Sequence, residues 1–495
     1  MKKALISVVI VVLVAVMLLT LTACNKYKWN AVGTTEYSSE EAVGNGSLVV
    51  KQGGYLYFVN NVADTSSLTK DDNEWGANGS NGAIIKSKIN EDGTLETLGV
   101  VVPKIFAPSY SDAGIYVYGE WIYYAARSQK TDNKGNLISA LEFLRTKTDG
   151  TKTQSLAIVE DTSTTYIFTK TGLLYTKDSN IYYVDYSGKK IKDAATVVEE
   201  YTDLVVSEED LCMFYTKASD DEYVMGNNLG VVLADGSNKI IISESAYAPE
   251  GVNYKTNPST LFTLDIIAYN AADNSIYYTK TCKDNDAKVF TIGYAIPEDY
   301  SFNKDNEIAF AKKALSSIYS LGINVGIVDV SSSTIVSYAK MTDPALEVKS
   351  EELALSAQIT VLYEKDGYTY YLESSKLYRA NLFVDGKVNK NAYEEKISDV
   401  SFGSKYGKPV LIADYLYYES SDDATYLSRI KMAYDSTTQA YLKGYIVSGY
   451  KAYTYPDDAD YVVNKDDESI KDKVPAYMTD SDLETYVSNH KTTNE

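Results

Sequence analysis

Carboxylates are the groups this sequence holds in enough number to do chemistry. It has 68 Asp and Glu among 495 residues, against 47 Lys and Arg and one His. Two acids flanking a glycosidic bond can protonate the leaving oxygen and activate water or attack the sugar carbon, so a carboxylate-dependent glycoside hydrolase or lyase is one open reading. No motif marks which acids would meet, so the catalytic residues are unknown. His490 stands alone near the C-terminus, which argues against a multi-His metal site or a His-centred triad. There is no Gly-x-Ser-x-Gly elbow in a strand-turn-helix setting and no Gly-x-x-x-x-Gly-Lys-Ser/Thr loop. Calcium-loop spacing is also missing. Asp71-Asp72-Asn73-Glu74 and Asp284-Asn285-Asp286 could hold a cation weakly, but read as solvated acidic loops. No metal site and no cofactor is assigned. Trp75 lies in the polar run from Asp71 to Ser80, where an aromatic can stack on a sugar ring, anchor a protein partner or plug a gap in the fold. Trp121 heads a strand motif and reads as core. A net charge of −21 without a basic block argues against nucleic-acid binding.

The N-terminus gives an address. Met1-Lys2-Lys3 is cationic, Ala4 to Leu21 is almost wholly apolar, and Leu21-Thr22-Ala23-Cys24 follows at once. A positive start, an apolar run and a small residue before a cleavage point form a secretory signal. The segment resembles a bacterial lipoprotein signal with its lipobox. That resemblance implies cleavage between Ala23 and Cys24, lipidation of the Cys24 sulfur, and a location on the extracytoplasmic face of the cell membrane. An uncleaved anchor with a chance Cys is the alternative, and it also exports the remainder. Two further cysteines, Cys212 and Cys282, lie 70 residues apart. Export permits a disulfide between them, or they pack as unpaired thiols.

The elements that would position any site come from a repeat. A turn residue, an aliphatic residue and two aromatics recur as Gly54-Tyr55-Leu56-Tyr57-Phe58, Gly119-Glu120-Trp121-Ile122-Tyr123-Tyr124, Asn180-Ile181-Tyr182-Tyr183 and Asn274-Ser275-Ile276-Tyr277-Tyr278. Gly367-Tyr368-Thr369-Tyr370-Tyr371 and Asp414-Tyr415-Leu416-Tyr417-Tyr418 repeat it, with weaker copies at Gly172–Tyr175 and Leu211–Tyr215. Short strand-like runs ending in Asp-Gly or Ser-Gly often trail the motif, as at Asp149-Gly150, Ser187-Gly188 and Asp235-Gly236. Those pairs supply the positive φ of hairpin turns. Successive strand residues point to opposite faces, so aliphatic-Tyr-Tyr must be covered on both sides. Stacked propeller blades give that cover, and a period of about 50 residues matches a four-stranded blade. A gap of about two periods before Thr369 hides a degenerate unit around Ile323–Val330 and Ile335–Tyr338. The spacing of Ile308, Ala311, Leu315, Ile318 and Tyr319 fits an amphipathic helix inserted between blades, or a strand read in the wrong period.

The repeat resembles the Tyr-rich β-propeller lipoproteins of Gram-positive bacteria, similar in rhythm to YWTD propellers. The fold class is therefore expected to be all-β: a single propeller of seven four-stranded antiparallel blades, with six or eight as neighbouring solutions. Residues 1–23 are the signal, 24–44 a lipid-anchored linker, 45–450 the propeller and 451–495 an acidic, mostly disordered tail. The expected function is a binding or scaffold module that presents a propeller face to a protein or to a cell-wall or extracellular glycan. The hydrolase or lyase reading places several acids from different blades in the central funnel.

Overall fold

The computed structural model describes residue 32 and residues 35–448, apart from stretches of which the longer are 61–82, 103–113, 219–225, 247–261, 283–287, 342–354, 403–408, 420–426 and 442–446. Trp75, both acidic loops, the segment around Cys24, His490 and the tail lie outside the described residues. The fold is all-β. Eight antiparallel sheets of four or five strands follow one another along the described chain, each a meander in sequence order, and two two-stranded hairpins, Phe383–Val384 with Lys387–Val388 and Tyr434–Asp435 with Ala440–Tyr441, interrupt the last two. Blade 1 holds Val49–Gln52, Tyr55–Asn60, Ala83–Ile89 and Leu95–Val102, with Ala42–Val43 as a fifth strand paired to the first of these. Blade 2 holds Tyr116–Tyr118, Trp121–Arg127, Leu141–Lys147 and Thr153–Val159. Blades 3 to 8 begin at Tyr166, Tyr201, Phe262, Ile318, Thr360 and Val410.

The count is one above the expected seven and equals the upper of the neighbouring solutions. Blade 6 is the degenerate unit expected before Thr369, and there Val325-Gly326-Ile327 takes the place of aliphatic-Tyr-Tyr. Gly326 stands in register with Tyr338 of the third strand.

The motif folds as its alternation requires. Ile122 and Tyr124 enter a core shared with blade 1, while Tyr123 enters a core shared with blade 3. Each Tyr ring so placed withdraws on the order of 150–250 Å² from water. Shared cores likewise join blades 3 and 4, 4 and 5, 5 and 6, and 7 and 8. Ile412 and Tyr417 of blade 8 lie in the same core as Val49 and Leu56 of blade 1, which brings the last sheet back to the first. First strands of neighbouring blades touch, as Val49–Gln52 does Tyr116–Tyr118 and Tyr201–Ser207 does Phe262–Asn270. They therefore lie around the axis.

The helix expected over 306–319 is replaced by strands. Glu307–Ala311 is the outer strand of blade 5, in register with Thr291 to Tyr294. The Leu315 amide then donates to Thr291 Oγ1 at 3.0 Å, and Ile318–Leu321 opens blade 6. A strand, a turn and a strand happened to space apolar residues like one helix face. Cys212 is buried and unpaired, so it forms no disulfide with Cys282. Burial pushes its thiol up to about 12, with Asp210 adding to the rise, which leaves it inert as a nucleophile.

Candidate functional site

Two carboxylates from neighbouring blades meet on the axial strands. Asp203 belongs to the first strand of blade 4, Tyr201–Ser207, and Asp265 to the first strand of blade 5, Phe262–Asn270. Asp203 accepts from two backbone amides, Leu204 N at 3.0 Å on Oδ1 and Ile266 N at 2.8 Å on Oδ2. The second bond crosses from blade 5 to blade 4. Beside it the Asn227 side chain forms a double bond pair with Leu264, accepting from its amide and donating to its carbonyl, both at 2.8 Å. These contacts hold Asp265 next to Asp203. Asp265 reaches solvent, yet the protein around it still raises its pKa by withdrawing water, and the Asp203 charge adds to the rise. Asp203 is committed to holding two blades together. Asp265 is the member open to a ligand, as a hydrogen-bond partner for hydroxyls or as an acid.

Sequence reasoning did not single out either acid. Both lie in the strand before the aromatic motif, among Thr, Leu, Val and Ile, and no local spacing sets them apart from the other 66 acids.

A second construction lies at the end of the blades where the first and third turns gather. The chain enters there. The Tyr55 hydroxyl donates to Glu36 Oε2 at 2.9 Å, and Lys86 Nζ donates to the Glu36 carbonyl. Lys86 is fully buried, with its ammonium 4.4 Å from the centre of the Tyr55 ring. Burial lowers its pKa to about 8 against the opposing pull of Asp149 and Glu36. Farther along, the Val117 amide donates to Asn45 Oδ1 at 2.8 Å, and Gly46 and Ser47 exchange backbone bonds with Ile115. The Gly46 carbonyl comes so close to Gly114 that a Cβ there would meet it at 2.1 Å, so only glycine fits. Residues 36–47 are thus fastened along blades 1 and 2.

Trp121, expected as core, is only partly buried and sits at this same end. Its ring carries Arg145 at 4.3 Å, Lys147 at 5.7 Å and Lys152 at 6.0 Å. Among the described residues no group of three or more His, Cys, Asp or Glu could hold a metal ion, and no helix is long and apolar enough to cross a membrane.

No family model matches the chain, and no curated protein does. Solved structures do resemble it. The β-propeller domain of the Trilobed protease from Pyrococcus furiosus is 8% identical, with a TM-score of 0.32 over 80% of this chain and 95% of that one. Porphyromonas gingivalis dipeptidyl peptidase 4 is 10% identical, with a TM-score of 0.37 over 86% of this chain and 60% of that one. Kluyveromyces lactis Hsv2p is 9% identical, with a TM-score of 0.31 over 73% of this chain and 96% of that one. This is likeness of fold alone.

Proposed function

We propose that the chain is an extracytoplasmic binding module, tethered to the cell membrane through lipidated Cys24, that presents a propeller face to a protein or to a cell-wall or extracellular glycan. The observation that carries the reading is the seating of residues 36–47 along blades 1 and 2. A tether leaving from Glu36 departs at the end holding the first and third turns of each blade. The second turns and the blade-to-blade connections then face away, and in sequence Trp75 falls between the second and third strands of blade 1. Loops of that kind on a rigid scaffold are where binding surfaces are built. Immobilised cell-wall polysaccharides and a glycan array, probed with the lipidated chain in detergent, test this. Retention that a Trp75→Ala change weakens supports the reading, and no retention on any surface opposes its glycan form.

The second reading is a carboxylate-dependent glycoside hydrolase or lyase. The raised pKa of Asp265 beside Asp203 on adjacent axial strands favours it. Against it, both oxygens of Asp203 already accept backbone amides, so a second acid would have to come from elsewhere. Polysaccharide turnover abolished by Asp265→Asn would establish this reading over the first.

A further inference from the structure

We propose that the end of blades 2 and 3 carrying their first and third turns is a docking surface for anionic lipid headgroups. The inference rests on the tether proposed at Cys24 and adds to it a second, non-covalent contact with the same membrane.

In a four-stranded meander the first and third turns share one end. In blade 2 these are 119–120 and 148–152, and in blade 3 they are 169–171 and 186–194. Lys152, Lys170, Lys189, Lys190 and Lys192 are all exposed there. The acids of these turns do not cancel them. Glu120 is bonded to Lys147 at 2.9 Å, and Asp149 is buried with Oδ1 accepting from Thr151. Asp185, at the strand end, is taken by Lys192, so that the acids of the four turns open to solvent are Asp193 and, in part, Glu120, the latter paired with Lys147. This leaves Lys152, Lys170, Lys189 and Lys190 facing solvent on a chain whose net charge is −21. A lysine surface is a local reversal of that charge.

Aromatics accompany the lysines. Trp121 is partly open at this end beneath Lys147 and Lys152, and Tyr37 is 48% exposed. Tyr37 lies close enough to Lys147 to interact with its charge. Trp and Tyr flanked by Lys suit the headgroup layer, where an apolar ring and a polar edge are both satisfied. Lysines near an anionic leaflet gain from its surface potential, within about one Debye length. Position supplies the remaining argument. The dozen residues between Cys24 and Glu36 span at most roughly 40 Å when extended, and Glu36 is fastened at this same end of neighbouring blade 1. The tether therefore joins the chain at the end that carries this surface, within reach of the leaflet.

The full lipidated chain reconstituted into vesicles tests the proposal. Lysines are acetylated with a water-soluble reagent and read by mass spectrometry on vesicles rich in phosphatidylglycerol and on neutral phosphatidylcholine vesicles. Lys152, Lys170, Lys189 and Lys190 should be protected several-fold on the anionic vesicles and lose that protection in high salt. Lys177, at the opposite end of blade 3, should label equally on both. The double change Lys189→Glu with Lys190→Glu should remove protection at Lys152 and Lys170 while the chain stays with the vesicles. Equal labelling on both vesicle types overturns the proposal. So does equal protection by a soluble polyanionic polysaccharide without vesicles, which would make the surface a polymer site. Acyl label on Cys24 is read separately. Its absence would sink the tether, whereas label without lysine protection would sink only the docking surface.

Discussion

The guanidinium carbon of Arg145 lies 4.3 Å from the centre of the Trp121 ring on the adjacent strand of blade 2. The same stack recurs as Lys86 on Tyr55 at 4.4 Å in blade 1 and Arg379 on Tyr368 at 4.2 Å in blade 7. In each case the cation stands opposite the second aromatic of the motif, Tyr57, Tyr123 or Tyr370, and stacks on the aromatic two residues earlier. Arg429 occupies the matching register position in blade 8, opposite Tyr417. Blades 1, 2 and 7 therefore share one device. A cation on the third strand caps the aromatic that opens the second. Arg145 is anchored further by Nε donating to Gln154 Oε1 at 3.0 Å.

Breaking one stack should cost measurable stability. Trp121→Leu keeps an apolar group and removes the π face over a nearly buried guanidinium. A loss of about 1–2 kcal/mol is expected in urea unfolding with an unchanged slope, and a smaller loss for Trp121→Phe. A loss below a few tenths of a kcal/mol for Trp121→Leu would mean that the stack is incidental.

Lys86 should give the protein a distinctive alkaline profile. Its pKa is lowered to about 8 by burial, while in the unfolded chain it lies near 10.4. Between those values the unfolded chain holds a proton that the folded chain has released, so stability rises with pH across that window. The limit is about 1.4 kcal/mol per pH unit. Urea midpoints of the wild type should climb from pH ~8 to ~9.5, and those of Lys86→Met should climb less. A Lys86→Met slope equal to wild type would show that the ammonium is not the source.

Tyrosines act with the opposite sign at higher pH. Burial raises the hydroxyls of Tyr57, Tyr124, Tyr186 and Tyr277 above their ordinary value of 10.0. Above pH ~10 the unfolded chain loses these protons first, so stability falls as pH rises. Tyrosinate absorbance should therefore grow largely in step with loss of near-ultraviolet circular dichroism. A full titration of tyrosine in a chain that keeps its dichroism would contradict the buried motif.

The two axial acids should respond differently to substitution. Asp203→Ala strips partners from the Leu204 and Ile266 amides, at an expected cost of about 1–3 kcal/mol. Asp265→Asn removes a charge that burial and Asp203 both disfavour, so stability should be unchanged or slightly higher. Thermal unfolding of both variants decides this, and a larger loss for Asp265→Asn would reverse the assigned roles.

The repeat was legible because its alternation is local. Gly119-Glu120-Trp121-Ile122-Tyr123-Tyr124 announced a turn and a doubly covered strand, and Trp121–Arg127 is that strand. Asp149-Gly150 and Asp235-Gly236 announced turns, and Gly150 and Gly236 have φ of +76° and +79°. What escaped was set by partners distant in sequence. Asp203 matters through an amide 63 residues away, and the cation stacks through residues on another strand. Ile308 to Ile318 misled because the pairing of Glu307–Ala311 with Val289–Ala295 leaves no trace in local periodicity. Trp75 lies outside the described residues, so its role rests on the sequence alone.

The tether is the claim on which both the proposed function and the docking surface depend, and acylation measures it most directly. Cells producing the full chain and its Cys24→Ser form are fed labelled palmitate, and the protein is recovered from the membrane fraction. Label on the wild type, a mature N-terminus at Cys24 and no label on Cys24→Ser are expected. A wild-type chain without label, or one labelled equally after Cys24→Ser, would contradict it.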